Sequence, residues 1–361
     1  MNTKNKGVDI YMGVMNHTIG IKKDGTCVGT GYNQNEQCNV QNWKDIVSIS
    51  CGYYFSFGIT KDGNIISVGK NSNNQFNITR HNDIIQISCG DSHTVGLKKD
   101  GTCIAIGDNS YGQCKVSDWK DIKQVAGGGS FTAGLKKDGT CVAVGYNSYG
   151  QCNVSDWKDI VQVAVGNGHT IGVKKDGTCV AAGNNSYGQC NVSDWTDIKQ
   201  IAVGFNHTVG LKKDGTCVAV GDNSDDQCNV SDWTDIKQVS CGAYHTVGLK
   251  KDGTCVAVGY NYYKQCNVSD WTDVVLLMDN LPTIIKFLLN SKNKYYSIDD
   301  KYYNSEIKKY ESISNALNIN TFKEDGFKIE ELLQDRTIEE ETFKPISKFN
   351  RFKLDKYEDE E

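Results

Sequence analysis

At 361 residues the chain is long enough for one large domain and a smaller appendage. Its 39 basic and 44 acidic side chains leave a formal charge of -5, which excludes a global positive field able to hold nucleic acid. Glycine is abundant (37) and proline nearly absent (2), as suits many tight turns between short strands, and the bias towards Lys, Asn, Ile and Tyr over Arg suggests an AT-rich, bacterial or phage coding sequence.

The first nine residues carry no apolar run behind their lysines, so no signal peptide is expected and synthesis in the cytoplasm is, with release in a virion or tailocin particle left open. A period then takes over. Asp-Gly pairs place glycines at Gly25, Gly63, Gly101, Gly139, Gly177, Gly215 and Gly253, each step 38 residues. Tryptophan recurs at Trp43, Trp119, Trp157, Trp195, Trp233 and Trp271, with His81 in the second copy's slot.

One copy, residues 159–195, shows three β-rich runs, VQVAVG, HTIGVKK and TCVAAG, and a shorter fourth, QCNVS. KKDGT reads as a hairpin whose Asp-Gly supplies the positive φ of a primed turn. No i, i+3, i+4 apolar stripe supports helical repeats. The fold class expected is all-β: a seven-bladed β-propeller of four-stranded antiparallel blades over residues 1–278, followed by a small C-terminal α+β module over 279–361. A partial copy at Asp273 and the strand at Val8 to Met12 are both candidates to close the ring.

Gly166, His169, Thr170, Asp176, Gly177, Gly183, Asn185, Gly188 and Gln189 spell a signature that resembles the regulator of chromosome condensation repeat, over about residues 9–278. The resemblance implies a propeller of the kind that serves as exchange factor, scaffold or ligand-binding module. Two departures argue against exchange activity. The copies are too short to hold the wedge with which the family's exchange factor engages a small GTPase, and the basic N-terminal tail is missing.

Twelve cysteines fall in two registers, Cys27, Cys103, Cys141, Cys179, Cys217, Cys255 and Cys38, Cys114, Cys152, Cys190, Cys228, Cys266, with no C-x-x-C pair to suggest zinc. The second copy replaces both with Ile65 and Phe76, so the sites are expected to touch across a strand pair; thiol packing is preferred to a cross-strand disulfide. His17, His93, His169, His207 and His245 share a register with Phe55 and Phe131, which marks a structural position. Gly127-Gly128-Gly129 sits in a turn with no helix after it and is no phosphate loop; Asn-Val-Ser at Asn153, Asn191, Asn229 and Asn267 is read as coincidental. The tryptophans are expected to pack between blades. No catalytic residue, cofactor or metal is expected.

Strand alternation puts the loops after the first and third strands on one face and the Lys-Asp-Gly hairpins and Ser-Asp-Trp connections on the other. The second set barely changes between copies; the first varies. Its variable positions, Tyr32, Tyr53, Tyr54, Asp91, Asp108, Tyr146, Asn167, Phe205, Asp222, Tyr244 and Tyr260, are the candidate ligand-binding residues, with Tyr111, Tyr149, Tyr187, Tyr262 and Tyr263 beyond them. Exposed rings beside amides and carboxylates suit sugars or protein hot spots better than loop drift does.

The chain ends in a segment of different composition. Residues 274–289 are apolar but broken by Asp279, Asn280, Pro282 and Lys286, so no membrane insertion is expected. Residues 287–298 read as a hairpin, 306–317 and 329–335 as short helices, and the run TFKPISKF (342–349) with that hairpin resembles modules appended to phage-tail and tailocin proteins. The function expected is non-enzymatic recognition of a cell-surface glycan or protein receptor, with the C-terminal module joining a particle partner. An intracellular protein-interaction scaffold is the alternative, with nucleotide exchange third.

Overall fold

A computed structural model describes residues 10–12, 16–81 and 83–271. The hairpin and helices expected in the tail and the partial copy expected at Asp273 lie outside these residues. The described strands belong to one compact unit, Val8–Val275.

Seven antiparallel sheets follow one another in sequence order. They are β1–β3 (Ile10–Met12, His17–Ile21, Cys27–Gly31), β4–β6 (Ile46–Cys51, Phe55–Thr60, Ile65–Gly69), β7–β9 (Ile84–Cys89, His93–Lys98, Cys103–Gly107) and β10–β12 (Ile122–Gly127, Phe131–Lys136, Cys141–Gly145). The remaining three are β13–β15 (Ile160–Val165, His169–Lys174, Cys179–Gly183), β16–β18 (Ile198–Val203, His207–Lys212, Cys217–Gly221) and β19–β21 (Ile236–Cys241, His245–Lys250, Cys255–Gly259). The first strands of neighbouring blades touch all the way round, β19 against β1 included, so the ring is closed and the first strands surround its axis. Glutamines lace these inner strands together: Gln162 donates to the Ile201 carbonyl at 3.0 Å and accepts from the Ile201 N–H at 2.9 Å, and Gln86, Gln124 and Gln200 do the same one blade along.

Two details differ from the sequence expectation. Among the described residues each blade has three strands, because the fourth run forms turns, and in the second blade a 3-10 helix, Gln75–Arg80. This run works as a staple between blades. Thr132 of the fourth blade donates to the Gln113 carbonyl of the third blade's run at 2.8 Å, and the same bond recurs from Thr170, Thr208, Thr246 and, across the seam, from Thr18 to Gln265. The hairpins also turn differently. Only their glycines have positive φ, +80° to +91°, while each Asp two residues before a threonine accepts from that threonine's N–H and hydroxyl, as Asp176 does from Thr178 at 2.9 and 2.7 Å. The geometry is an ordinary turn ending in a left-handed glycine, not a primed turn.

The tryptophans do pack between blades. Trp43, Trp119, Trp157, Trp195, Trp233 and Trp271 each lie on a glycine in the next blade's middle strand (Gly58, Gly134, Gly172, Gly210, Gly248 and Gly20), where an added Cβ would stand 2.7–2.9 Å from the indole. Where His81 stands in the tryptophan's slot, Ile78 of the second blade and Ile84 of the third cover Gly96 instead. The ring thus closes through Trp271 on Gly20 and Thr18 on His245, with β1 supplying the first blade's own inner strand.

All fifteen cysteines are free thiols. Cys38 stacks over Gly29, on the same strand as Cys27, and its thiol faces the Thr30 and Tyr32 carbonyls at 3.5 and 3.4 Å rather than a partner sulfur. Burial pushes Cys27 and Cys38 up to about 12 and Cys114 to about 11. With so little thiolate, the folded protein at pH 8 should react slowly with Ellman's reagent, whereas the unfolded chain should reveal fifteen thiols at once. A fast native phase of several thiols would contradict this packing.

Candidate functional site

Seven equivalent backbone bonds tie the two variable loops of each blade together: Tyr32, Lys70, Asp108, Tyr146, Asn184, Asp222 and Tyr260 each donate an N–H to the carbonyl of Asn16, Tyr54, Ser92, Ser130, Gly168, Asn206 or Tyr244. The opposite rim is tied as regularly, Lys61 to Asp45 and Lys175 to Asp159, and carries exposed Lys–Asp pairs such as Lys61–Asp45 at 3.2 Å. All eleven candidate residues therefore emerge on one rim.

The repeat builds their loop. In the fifth blade the Asn185 carboxamide oxygen accepts from the Cys190 N–H at 2.8 Å, and the buried Gln189 accepts from the Tyr187 N–H at 2.9 Å. Asparagine and glutamine of the signature are thus loop braces that hold the tip residue outwards: Tyr111, Tyr149 and Tyr187 are 57%, 55% and 56% exposed.

The rings do not form an even circle. Phe205, Tyr244, Tyr260, Tyr263, Tyr32, Tyr54 and Tyr53 make a continuous arc from the sixth blade across the seam to the second, with successive centroids 5.7, 6.4, 6.2, 5.0, 5.8 and 4.4 Å apart. Tyr262, 76% exposed, flanks it at 4.9 Å from Tyr263. Tyr146 belongs to a second, smaller patch with Tyr111 and Tyr149. Tyr262 and Tyr263 were legible as loop tyrosines but did not stand out as site residues; the Tyr-Tyr doublet where other copies carry Ser-Tyr was the available signal.

The polar candidates divide. Asp108 is consumed within its loop, accepting from Ser110 and from Gln113, and Asp222 accepts from the Ser224 N–H. Asn167 packs its carboxamide against Gly129, whose missing side chain makes room for it. Asp91 differs: one of its carboxyl oxygens is buried without a hydrogen-bond partner, and burial raises its pKa to about 7. It shares a cleft of about 240 Å³ with Tyr53, Tyr54, Lys70 and Asn73. Burial, then the neighbouring Tyr54 and Asp91, push Tyr53 up to about 12.

The five histidines of the shared register are fully buried connectors. His207 Nε2 lies 3.0 Å from the Thr246 hydroxyl, whose one hydrogen goes to the Gln227 carbonyl, so His207 must donate and its Nδ1 is the bare nitrogen. His17, His93, His169 and His245 repeat this with Ser56, Thr132, Thr208 and Thr18. Gly127, Gly128 and Gly129 are packing positions, the second against the Phe131 ring. Among the described residues, no three His, Cys, Asp or Glu side chains converge as metal ligands.

Six segments, 46–75, 84–113, 122–151, 160–189, 198–227 and 236–265, match the Regulator of chromosome condensation (RCC1) repeat. The chain belongs to the RCC1-like repeat β-propeller family. Solved structures similar to this RCC1-like chain include Prp20p from Saccharomyces cerevisiae (17% identity, 64% of this chain and 76% of that one, TM-score 0.52). The CRINKLY WD40 ectodomain of the Arabidopsis thaliana receptor kinase ACR4 is similar as well (18%, 72% and 96%, TM-score 0.61). So is the receptor kinase CR4 ectodomain from Physcomitrella patens (15%, 71% and 74%, TM-score 0.58). At these identities the RCC1-like likeness establishes the fold. No curated protein matches the sequence.

Proposed function

We propose that this RCC1-like propeller is a non-enzymatic recognition module that binds a protein partner, of the receptor type, across its variable rim. The aromatic arc from Phe205 to Tyr53 carries the reading: seven rings in mutual contact, set on braced loops, bury large area at little conformational cost when a partner covers them. Family precedent supports a protein ligand, since Prp20p is described by its binding to Gsp1p and histones and yeast RCC1 was solved bound to Kap60. A glycan ligand is favoured by one feature, the near-parallel rings of Tyr260 and Tyr262 (22°, 6.3 Å), which offer adjacent platforms for sugar C–H faces.

Protein and glycan arrays probed with the full chain separate the two ligands. The double variant Tyr32→Ala/Tyr263→Ala, which breaks the arc at the seam, is expected to weaken whichever binding is found by roughly thirtyfold or more, the loss of one hot spot of about 2 kcal/mol. Lys175→Ala, on the constant rim, should leave it unchanged. The reverse pattern would move the site to the other face.

A further inference from the structure

We propose that the cleft between the second and third blades takes the side chain of an arginine on the protein partner, with the Asp91 carboxylate as its counter-charge and the Tyr53–Tyr54 pair as its aromatic wall. The inference rests on the protein-recognition reading above and names what one part of that surface reads.

Three observations converge. A buried polar atom is nearly always hydrogen-bonded, because stripping water from it costs free energy that only a partner returns. Asp91 Oδ1 has none, and the neighbouring Lys70 ammonium lies over the Tyr54 ring. The loop after β7 therefore sets a carboxyl group, with one oxygen buried and short of donors, in the wall of an open cleft. The register is singular as well: the equivalent positions in the other described blades are Tyr53, Gly129, Asn167, Phe205 and Ala243, so Asp91 is no requirement of the fold.

The walls suit a planar cation. Tyr53 and Tyr54 meet edge to face at 4.4 Å, and the Lys70 ammonium already rests 5.6 Å from the Tyr54 centroid, so this wall holds a cation in the free protein. A guanidinium can stack on a ring while donating two parallel bonds to a carboxylate, which an ammonium cannot. Size agrees: about 240 Å³ is less than the several hundred that a drug-sized ligand occupies and fits a single side chain. The exposed Ser72 and Asn73 complete a polar rim.

The test uses the full chain and three blocked amino acids, the N-acetyl amides of arginine, lysine and citrulline, with binding followed by NMR. Arginine amide should bind saturably, and citrulline amide, its uncharged isostere, roughly tenfold more weakly or not at all. Asp91→Asn should remove the preference while leaving the protein at least as heat-stable, since it deletes a buried charge without donors. Lys70→Met should tighten arginine binding by freeing the Tyr54 face, and Asp62→Asn, at a hairpin tip on the other rim, should change nothing. Equal binding of citrulline or lysine amide, or full binding by Asp91→Asn, overturns the assignment. If that happens while Tyr32→Ala/Tyr263→Ala still weakens partner binding, the recognition face stands and only the arginine pocket falls.

Discussion

The propeller is expected to lose stability steeply between pH 6.5 and 4. Five buried histidines join its blades, and burial lowers their pKa from 6.5 to about 4 for His17, His93 and His207 and about 3 for His169 and His245. Protonation would place a second N–H at Nδ1, which in all five faces no acceptor. The folded state keeps these rings neutral while the unfolded chain takes up protons at the ordinary pKa, so below 6.5 the unfolded state binds more protons. The stabilisation is therefore complete above 6.5 and is lost as pH falls towards 4. Each ring contributes a slope of about 1.4 kcal/mol per pH unit, so five together reach on the order of 7 kcal/mol per unit, comparable with the whole stability of a domain. Asp91 opposes them, its raised pKa favouring the folded state at lower pH, but it is one group against five. Urea midpoints at pH 7.5 and 5.5 should differ sharply, and His207→Phe, which copies Phe55 and Phe131, should fold and flatten the slope by roughly one-fifth. A midpoint indifferent to pH in this window would refute the role of the histidines.

Trp195→Ala is expected to destabilise the protein by about 3–5 kcal/mol, the cost of emptying an aromatic site in a packed core. Trp195 belongs to a buried cluster with Ile171, Val192 and Ile198 and bears on Gly210 of the next blade, so the loss falls on an interface between blades. Gly210→Ala alone should cost about 1–3 kcal/mol, because its Cβ would stand 2.8 Å from the indole. In the double variant the new methyl enters the space the indole leaves, so the two losses should sum to less than the separate effects. Additive losses in urea titrations would mean that the two residues do not share the interface.

The histidine connectors also limit where the proposed recognition surface can lie. They and the glutamine lacing bond one blade to the next, and variation falls instead on the loop tips, where side chains change without disturbing a bond the ring needs. The Asn and Gln braces of each loop keep tip residues presented at constant height, which lets the chain exchange Tyr111, Asp225 or Tyr263 at one register without rebuilding the loop.

Much of this was readable from local chemistry repeated at fixed intervals. The 38-residue period, the left-handed hairpin glycines, the structural histidines and the constant and variable rims each depend on residues close together in sequence or on strand alternation, and the chain alone determined them. The tertiary structure decided what depends on neighbouring blades. QCNVS reads as a fourth strand by its β-like composition, yet its hydrogen-bonding groups go to loop braces and to the next blade's threonine. Six tyrosines and Phe205, scattered over several registers of the repeat, become one arc because residues more than two hundred apart, Tyr32 and Tyr263, meet at the seam. Asp91 was one variable residue among eleven until its surroundings left it without a donor. Periodicity specifies the blade; only closure of the ring specifies which side chains become neighbours across it.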